Sequence, residues 1–406
     1  MPTTTTTSVL HAQWDDITVA RARQRRGFKW APYSGTDHIP AWVADMDIPA
    51  SASIAEAITD FYSRGDLGYF DETIYTTVRE TCSQWFSIKH GWHIRPGDIE
   101  LVSDTVQSLH LMVQHYSHPG DRIALITPVY HHFYNAIVEN GRIPAPVALK
   151  EARGGYVLDT DELRDQLAQD GTKLLLLCHP HNPTGKVFTP EELRQIAQAA
   201  AETGTVVISD EIHADLTYDP GAFTPLAVVG AELPTPSITL TSAGKAFNIA
   251  GTHLGFVVYS SSSLRQQAPR FPSRSNGKPG IAGCIATNVA WSSQELWLDA
   301  AVSYLRRNRD HFFTALAQEV PELEAIPPEA TYLAWLNLNQ FTSDAREFLI
   351  EKAQVVTSGG RDFSWPRGTG GEYARLNFAA PFLLVQEITE RVVDALTAER
   401  KRRSIA

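Results

Sequence analysis

The 406-residue chain is 43% hydrophobic, an ordinary globular composition, and its length favours two or three packed domains over a single core. A formal net charge of -11, with no basic stripe interleaved with aromatics, argues against nucleic acid or an anionic membrane as a partner. Cys82, Cys178 and Cys284 lack disulfide or metal spacing, the start lacks the apolar core of a signal peptide, and no run reaches membrane-spanning length, so a soluble cytoplasmic protein is expected.

In chain order, residues 1–8 (MPTTTTTS) read as disordered and 14–49 as an arm with loops, since prolines and aromatics occur there without periodicity. No fixed-period repeat is present. The basic clusters are Arg21 to Arg26 and Arg400 to Arg403, the second a solvated helix end. Between Asp98 and Tyr259 short apolar runs alternate with amphipathic helices, the pattern of a layered α/β sheet. The runs are 122–127, 173–178, 205–209, 237–241 and 254–259. One helix has both ends marked: Thr189 as N-cap, Pro190 at the first helical position, Glu192 three residues after the cap, and Gly204 past the end. Residues 260–283, dense in Ser, Pro, Gly and Arg, read as a long loop near a domain junction. A helical pattern over 294–320 leads to strands at 332–338 and 374–378 and helices at 343–353 and 381–400, a second, α+β domain. The expected organisation is an arm and part of a small domain (1–60), a large domain (61–290) and a C-terminal small domain (291–406).

Ligands gather at the carboxyl ends of strands in open α/β sheets, and each run here ends in reactive residues. After 173–178 comes HPHNPTGK; after 205–209 comes Asp210-Glu211-Ile212-His213; after 237–241 come Ser242 and Lys245. Upstream, Glu100-Leu101-Val102 leads into Ser103-Asp104-Thr105-Val106-Gln107 at the start of a helix, and 122–127 leads into Pro128-Val129-Tyr130. Lys245 lies between Gly244 and Ala246, with Phe247-Asn248-Ile249 following, where an exposed lysine would have polar neighbours. Partial burial disfavours the ammonium form, so such an amine can form an imine and then shuttle a proton, as pyridoxal phosphate (PLP) chemistry requires. A lysine at a strand end is common by itself; the set of strand-end residues around it is not. His131-His132 and the other histidines show no ligand spacing, no metal site is expected, and glycine-rich nucleotide motifs are absent.

The ordered pieces FKW at Phe28, WVADMD at Trp42, LGY at Leu67, TPVY at Thr127, NPTGKVF at Asn182, ISDEIHAD at Ile208, TSAGKAFNI at Thr241 and ARLNFAAP at Ala374 span nearly the whole chain. Together they resemble the fold-type I PLP-dependent enzymes of the aspartate aminotransferase superfamily. Within these they are similar to the C-S lyase branch of cystathionine β-lyase-like proteins and the maltose-regulon modulator. The resemblance implies a large domain with a mainly parallel central sheet flanked by helices, plus a smaller α+β domain.

Carried over by residue, it also implies roles. Lys245 holds the cofactor and later moves the Cα proton. Asp210 pairs with the protonated pyridine nitrogen, Asn182 bonds the phenolic oxygen with His213 nearby, and Tyr130 stacks on the ring. The phosphate rests on the amides of Thr105, Val106 and Gln107, aided by Ser242. Tyr69 reaches the phosphate of a neighbouring subunit, so that a homodimer shares its active sites, and Arg375 grips the substrate α-carboxylate. Gly244 departs from the serine of many relatives, His253 from a phosphate-binding arginine of aminotransferases, and the 260–283 loop matches no pattern. The implied reaction is α,β-elimination of an S-substituted L-cysteine to thiol, pyruvate and ammonia. An aminotransferase, a decarboxylating oxidative deaminase of a cysteine conjugate in natural-product biosynthesis, and a PLP-binding regulatory protein remain as alternatives. The sequence does not specify the S-substituent or the pathway.

Overall fold

The computed structural model describes residues 2–25, 27–65, 67–268 and 278–405. Its first element overturns an expectation, because a helix, Pro2–Asp15, stands where disorder was anticipated. Threonine is a weak helix former, and tertiary contact supplies what propensity lacks. Trp14 is buried with its ring edge-on to Trp297 (5.8 Å) and Tyr304 (5.2 Å). Asp15 accepts from the Tyr304 hydroxyl at 2.8 Å and pairs with Arg307.

Strands follow in chain order as Ile39–Pro40 (β1), Ile99–Val102 (β2), Arg122–Thr127 (β3), Ile143–Ala152 (β4) and Gly155–Leu158 (β5). Next come Thr172–Cys178 (β6), Val206–Asp210 (β7), Ser237–Thr241 (β8) and Gly255–Tyr259 (β9). Leu333–Asn337 (β10), Val355–Val356 (β11), Ser358–Gly359 (β12) and Tyr373–Asn377 (β13) lie beyond. The main sheet has eight strands in the order β2-β9-β8-β7-β6-β3-β4-β5. Strands β8, β7, β6, β3 and β4 are parallel, while β9 runs antiparallel between β8 and β2 and β5 antiparallel to β4. Every residue of β8 is buried, its Ser and Thr side chains as well as Ile238 and Leu240, as in a strand covered on both faces. The parallel arrangement brings the ends of β3, β6, β7 and β8 to one edge.

The helix Pro190–Thr203 has the anticipated ends: a reciprocal Thr189–Glu192 capping box and Gly204 at φ 67°. Sequence reading missed the β4–β5 hairpin. It also took as loop a stretch that contains a helix, Ser262–Gln267, and the start of another, Ile281–Ser293; residues 269–277 of that stretch lie outside the described residues. The long helix Glu295–Glu319 and the terminal helix Phe382–Ile405 flank a three-stranded antiparallel sheet, β10-β13-β12. In that sheet Arg375 of β13 pairs with Trp335 on one side and Ser358 on the other. Among the described residues no helix is long and apolar enough to cross a membrane.

Candidate active site

The segment Trp42 to Ile48 follows β1, and its backbone carbonyls are claimed by side chains from distant parts of the chain. Arg375 and Ser358 both donate to Trp42 O, at 2.8 Å each. Asn377 Nδ2 bonds Val43 O (2.6 Å) and Asp45 O (2.7 Å), and Asn248 Nδ2 bonds Met46 O (3.1 Å) and Ile48 O (2.8 Å). Asp47 anchors the segment from beneath: its side chain and that of Lys29 are both almost fully buried, with Nζ to Oδ2 at 2.6 Å, and Trp30 Nε1 donates to Oδ1 at 2.8 Å. Such a pair holds because each charge is both neutralised and hydrogen-bonded.

Lys245 sits in the turn after β8 and donates from Nζ to Ala44 O at 2.7 Å. Burial lowers its pKa, and Arg375 adds to that, while Asp45, Asp210 and Asp104 oppose it. The result is an amine closer to the free-base form that a nucleophile needs. Lys245 lines a cavity of about 930 Å³ together with Thr105, Val106, Tyr130, Asn182, Asp210, His213, Ser242 and Arg375.

Asp210 closes β7 and receives the amide of Ile212 at 3.2 Å. Burial pushes its pKa up to about 6, against that amide and the more distant Lys245 charge, which favour the carboxylate. His213 is buried with Nδ1 unpartnered, and desolvation depresses its pKa to about 3, so it stands neutral. Arg375 donates to Asn182 Oδ1 at 3.0 Å and to Ser358 Oγ at 3.3 Å, and its guanidinium lies 4.8 Å from the centre of the Phe363 ring. It is 5% exposed, its Nε has no partner, and burial lowers its pKa to about 10. No carboxylate pairs with it among the described residues, so this buried cation is one that an anionic ligand would complete. Tyr130 caps the helix His131–Val138, and desolvation raises its phenol to about 12, which keeps it a neutral hydroxyl.

The start of the helix Thr105–Tyr116 is built differently from expectation. Asp104 is the N-cap, and its Oδ1 takes the amides of Val106 (2.7 Å) and Gln107 (3.0 Å). Gly255 lets that turn press against β9, since a Cβ there would stand 2.7 Å from Thr105 Cγ2. The Ser242 hydroxyl donates to Leu254 O at 2.6 Å and accepts the Gly244 amide at 3.0 Å. At Gly244 a Cβ would meet Ser242 Oγ at 3.1 Å and Ala250 Cα at 3.2 Å, so glycine suits this tight turn. His253 lines the cavity with a left-handed backbone, φ 55°.

The aminotransferase class I and II family profile matches residues 44–389, which takes in the segment from Ala44 onward, the lysine turn and Arg375. The chain belongs to this family. Among relatives, cystathionine beta-lyase PatB of Bacillus subtilis is 31% identical over 89% of this chain and 93% of its own length. Protein MalY of Escherichia coli is 29% identical over 91% of this chain and 94% of its own. The crystal structure of cystalysin from Treponema denticola, which contains a pyridoxal 5'-phosphate cofactor, superposes with a TM-score of 0.86 at 29% identity, covering 94% of this chain and 99% of that one.

For a member of this family, the donor set fits PLP at the ring end. A half-buried carboxyl with no ion-pair partner among the described residues (Asp210), a desolvated amine (Lys245) and an aromatic (Tyr130) line one cavity. The phosphate end fits on one condition: the Asp104 carboxylate must release the amides of Val106 and Gln107 to it.

Of the residues singled out from sequence, the cavity gathers all but two. Gln107 does not line it, and Tyr69 is fully exposed on the surface. Sequence reasoning missed the Asp104 cap, although an aspartate opening an amphipathic helix is itself a signal. It also missed Ala44 and Trp42, which act through backbone carbonyls that carry no sequence signature, and the wall formed by Arg361, Phe363 and Arg367.

Proposed function

We propose that this protein is a PLP-dependent carbon-sulfur β-lyase that cleaves an S-substituted L-cysteine into a thiol, pyruvate and ammonia. The observation that carries the reading is the convergence of the desolvated Lys245 amine, the cation-free Asp210 and the anion-free Arg375 on one cavity. The similarity to cystathionine beta-lyase PatB over nearly the whole chain supports carbon-sulfur cleavage as the outcome. When bound, the cofactor supplies a sink for the electron pair left at the substrate Cα. Lys245 would hold the cofactor through Nζ, and its amine, once free, would take the Cα proton. Asp210 keeps the pyridine nitrogen protonated, with Asn182, His213 and Tyr130 orienting the ring. Thr105, Val106, Gln107 and Ser242 hold the phosphate. Arg375 fixes the α-carboxylate, which opposes loss of CO2 and leaves the proton at Cα as the group removed. With its positive charge answered by that carboxylate, Arg375 also ceases to raise the field at Lys245, and the amine becomes a better base.

In this reading residues 61–290 form the cofactor domain, 291–406 the smaller C-terminal domain, and 1–60 an arm with part of that smaller domain. The protein is cytoplasmic and a homodimer, in which exposed Tyr69 completes the partner's site. Product analysis tests the reaction. An S-alkyl-L-cysteine should give pyruvate, ammonia and thiol in equal amounts with the aldehyde form of the cofactor persisting. Accumulation of pyridoxamine phosphate would indicate transamination, and release of CO2 a decarboxylating deaminase.

A further inference from the structure

The roles above leave one wall of the cavity unused. At about 930 Å³ the cavity lies near the upper end of the ~300–1,000 Å³ typical of ligand pockets, so space remains beyond the cofactor and a cysteine. The unused wall combines the start of the helix His131–Val138 with the segment 361–368. Two guanidiniums belong to it. Arg361 is ion-paired with Asp344 at 2.5 Å, so its charge is answered. Arg367 donates to the neutral side-chain oxygen of Asn135, and no carboxylate pairs with it among the described residues. Asp362 lines the same wall without forming an ion pair to either arginine. His131, beside them, is held neutral at a pKa of about 4 by burial and by the positive fields of His132, Arg375 and Arg367. The Phe28 and Trp42 rings, 5.0 Å apart, supply an apolar flank.

We propose that Arg367 sets substrate specificity by receiving a carboxylate at the far end of the S-substituent, which makes S-carboxyalkyl cysteines preferred over S-alkyl ones. The thioether portion lies along Phe28 and Trp42, and the neutral imidazole of His131 serves as a hydrogen-bonding neighbour of the terminal carboxylate. The substrate identity rests on the lyase reading; the anion-binding role of Arg367 does not.

Two measurements on the cofactor-loaded protein separate them. In pyruvate release, kcat/KM for S-(2-carboxyethyl)-L-cysteine should exceed that for S-propyl-L-cysteine by about tenfold or more at low salt, and added salt should reduce the ratio. Arg367→Gln should bring the ratio close to 1, Arg367→Lys should keep part of it, and Arg361→Gln should leave it as it is. In calorimetry, dicarboxylates from succinate to suberate should include a length that binds about tenfold more tightly than its matched monocarboxylate, an advantage lost in Arg367→Gln. Parity in the wild type, or a preference that survives Arg367→Gln, overturns the proposal. Absence of pyruvate from both conjugates would overturn the lyase reading, and the dicarboxylate ratio would still decide the role of Arg367.

Discussion

Asp210→Asn should strengthen the cofactor-free protein and disable the enzyme. Burial raises the Asp210 pKa from 3.8 to about 6, so the folded state holds this proton more tightly than the unfolded chain does. A raised pKa contributes stability that is fully present below the unfolded value and is lost as pH rises through the folded one. At about 1.36 kcal/mol per tenfold change, the rise corresponds to about 3 kcal/mol, and partial access of solvent to the carboxyl reduces that to about 1–3 kcal/mol. Asparagine keeps the shape and does not titrate. Urea unfolding of the cofactor-free wild type and variant should therefore show a gap in favour of the variant that widens from pH 4 to pH 6 and is level above pH 7. In the loaded protein Asp210 gains a cationic partner, so the gap should close or reverse there, and turnover of the variant should fall by orders of magnitude. A gap independent of pH, or one favouring the wild type at pH 8 without cofactor, would refute the reasoning.

Lys245→Ala should bind the cofactor without a borohydride-reducible link and release no pyruvate; peptide mapping of a reduced adduct to another lysine would reassign the role. Arg375→Ala should lower kcat/KM for amino acids by about 3–5 kcal/mol, the cost of removing one partner from a buried charge pair, and an equal loss with the α-amide of the same substrate would show that the guanidinium does not read the carboxylate. Asp47→Asn leaves Lys29 buried and unpaired and should destabilise the fold by about 3–5 kcal/mol in urea unfolding, with much of that recovered in the Lys29→Met, Asp47→Leu double variant; a single-variant cost under ~1 kcal/mol would mean water reaches the pair. Tyr69→Phe should weaken cofactor binding with unfolding unchanged, and a fully active monomer in sedimentation would sink the shared-site proposal.

The main sheet was legible because β3 holds the apolar run Ile123 to Ile126 and β8 carries β-branched and apolar residues at Ile238 to Thr241, and the limits 122–127 and 237–241 coincide with the strands found. The β4–β5 hairpin was not, since Pro144 and Pro146 interrupt a strand that still pairs with β3 on one side and β5 on the other. The Pro2–Asp15 helix escaped for a different reason. Its order comes from Trp14 and Asp15 meeting residues nearly three hundred positions away, which local propensity cannot report. At the site, side chains at strand ends were visible in advance, while the Ala44 and Trp42 carbonyls were not, because any residue type supplies a carbonyl. The amides expected to hold the phosphate do open a helix, yet the Asp104 carboxylate that occupies those of Val106 and Gln107 was not weighed.

The strap from Trp42 to Ile48 has a consequence for how the protein is made. It leaves the ribosome early, but the residues that hold it, Asn248, Ser358, Arg375 and Asn377, follow it by 200 to 334 positions. Until they are made, its carbonyls can be met only by water, by Arg25 and Lys29 just upstream and by the Asp45 amide within it, and the large sheet can pair in full before Arg375 exists. A chain stopped short of residue 374 keeps every strand of that sheet, with Asn248 and Ser358, and lacks the Arg375 and Asn377 part of the clasp. Such a truncated product would lack the Arg375 side of the cavity and the core residues that β13 and the terminal helix supply. Competence is therefore conferred near the very end of translation, when β13 slides between β10 and β12 and fastens the oldest part of the chain to the newest.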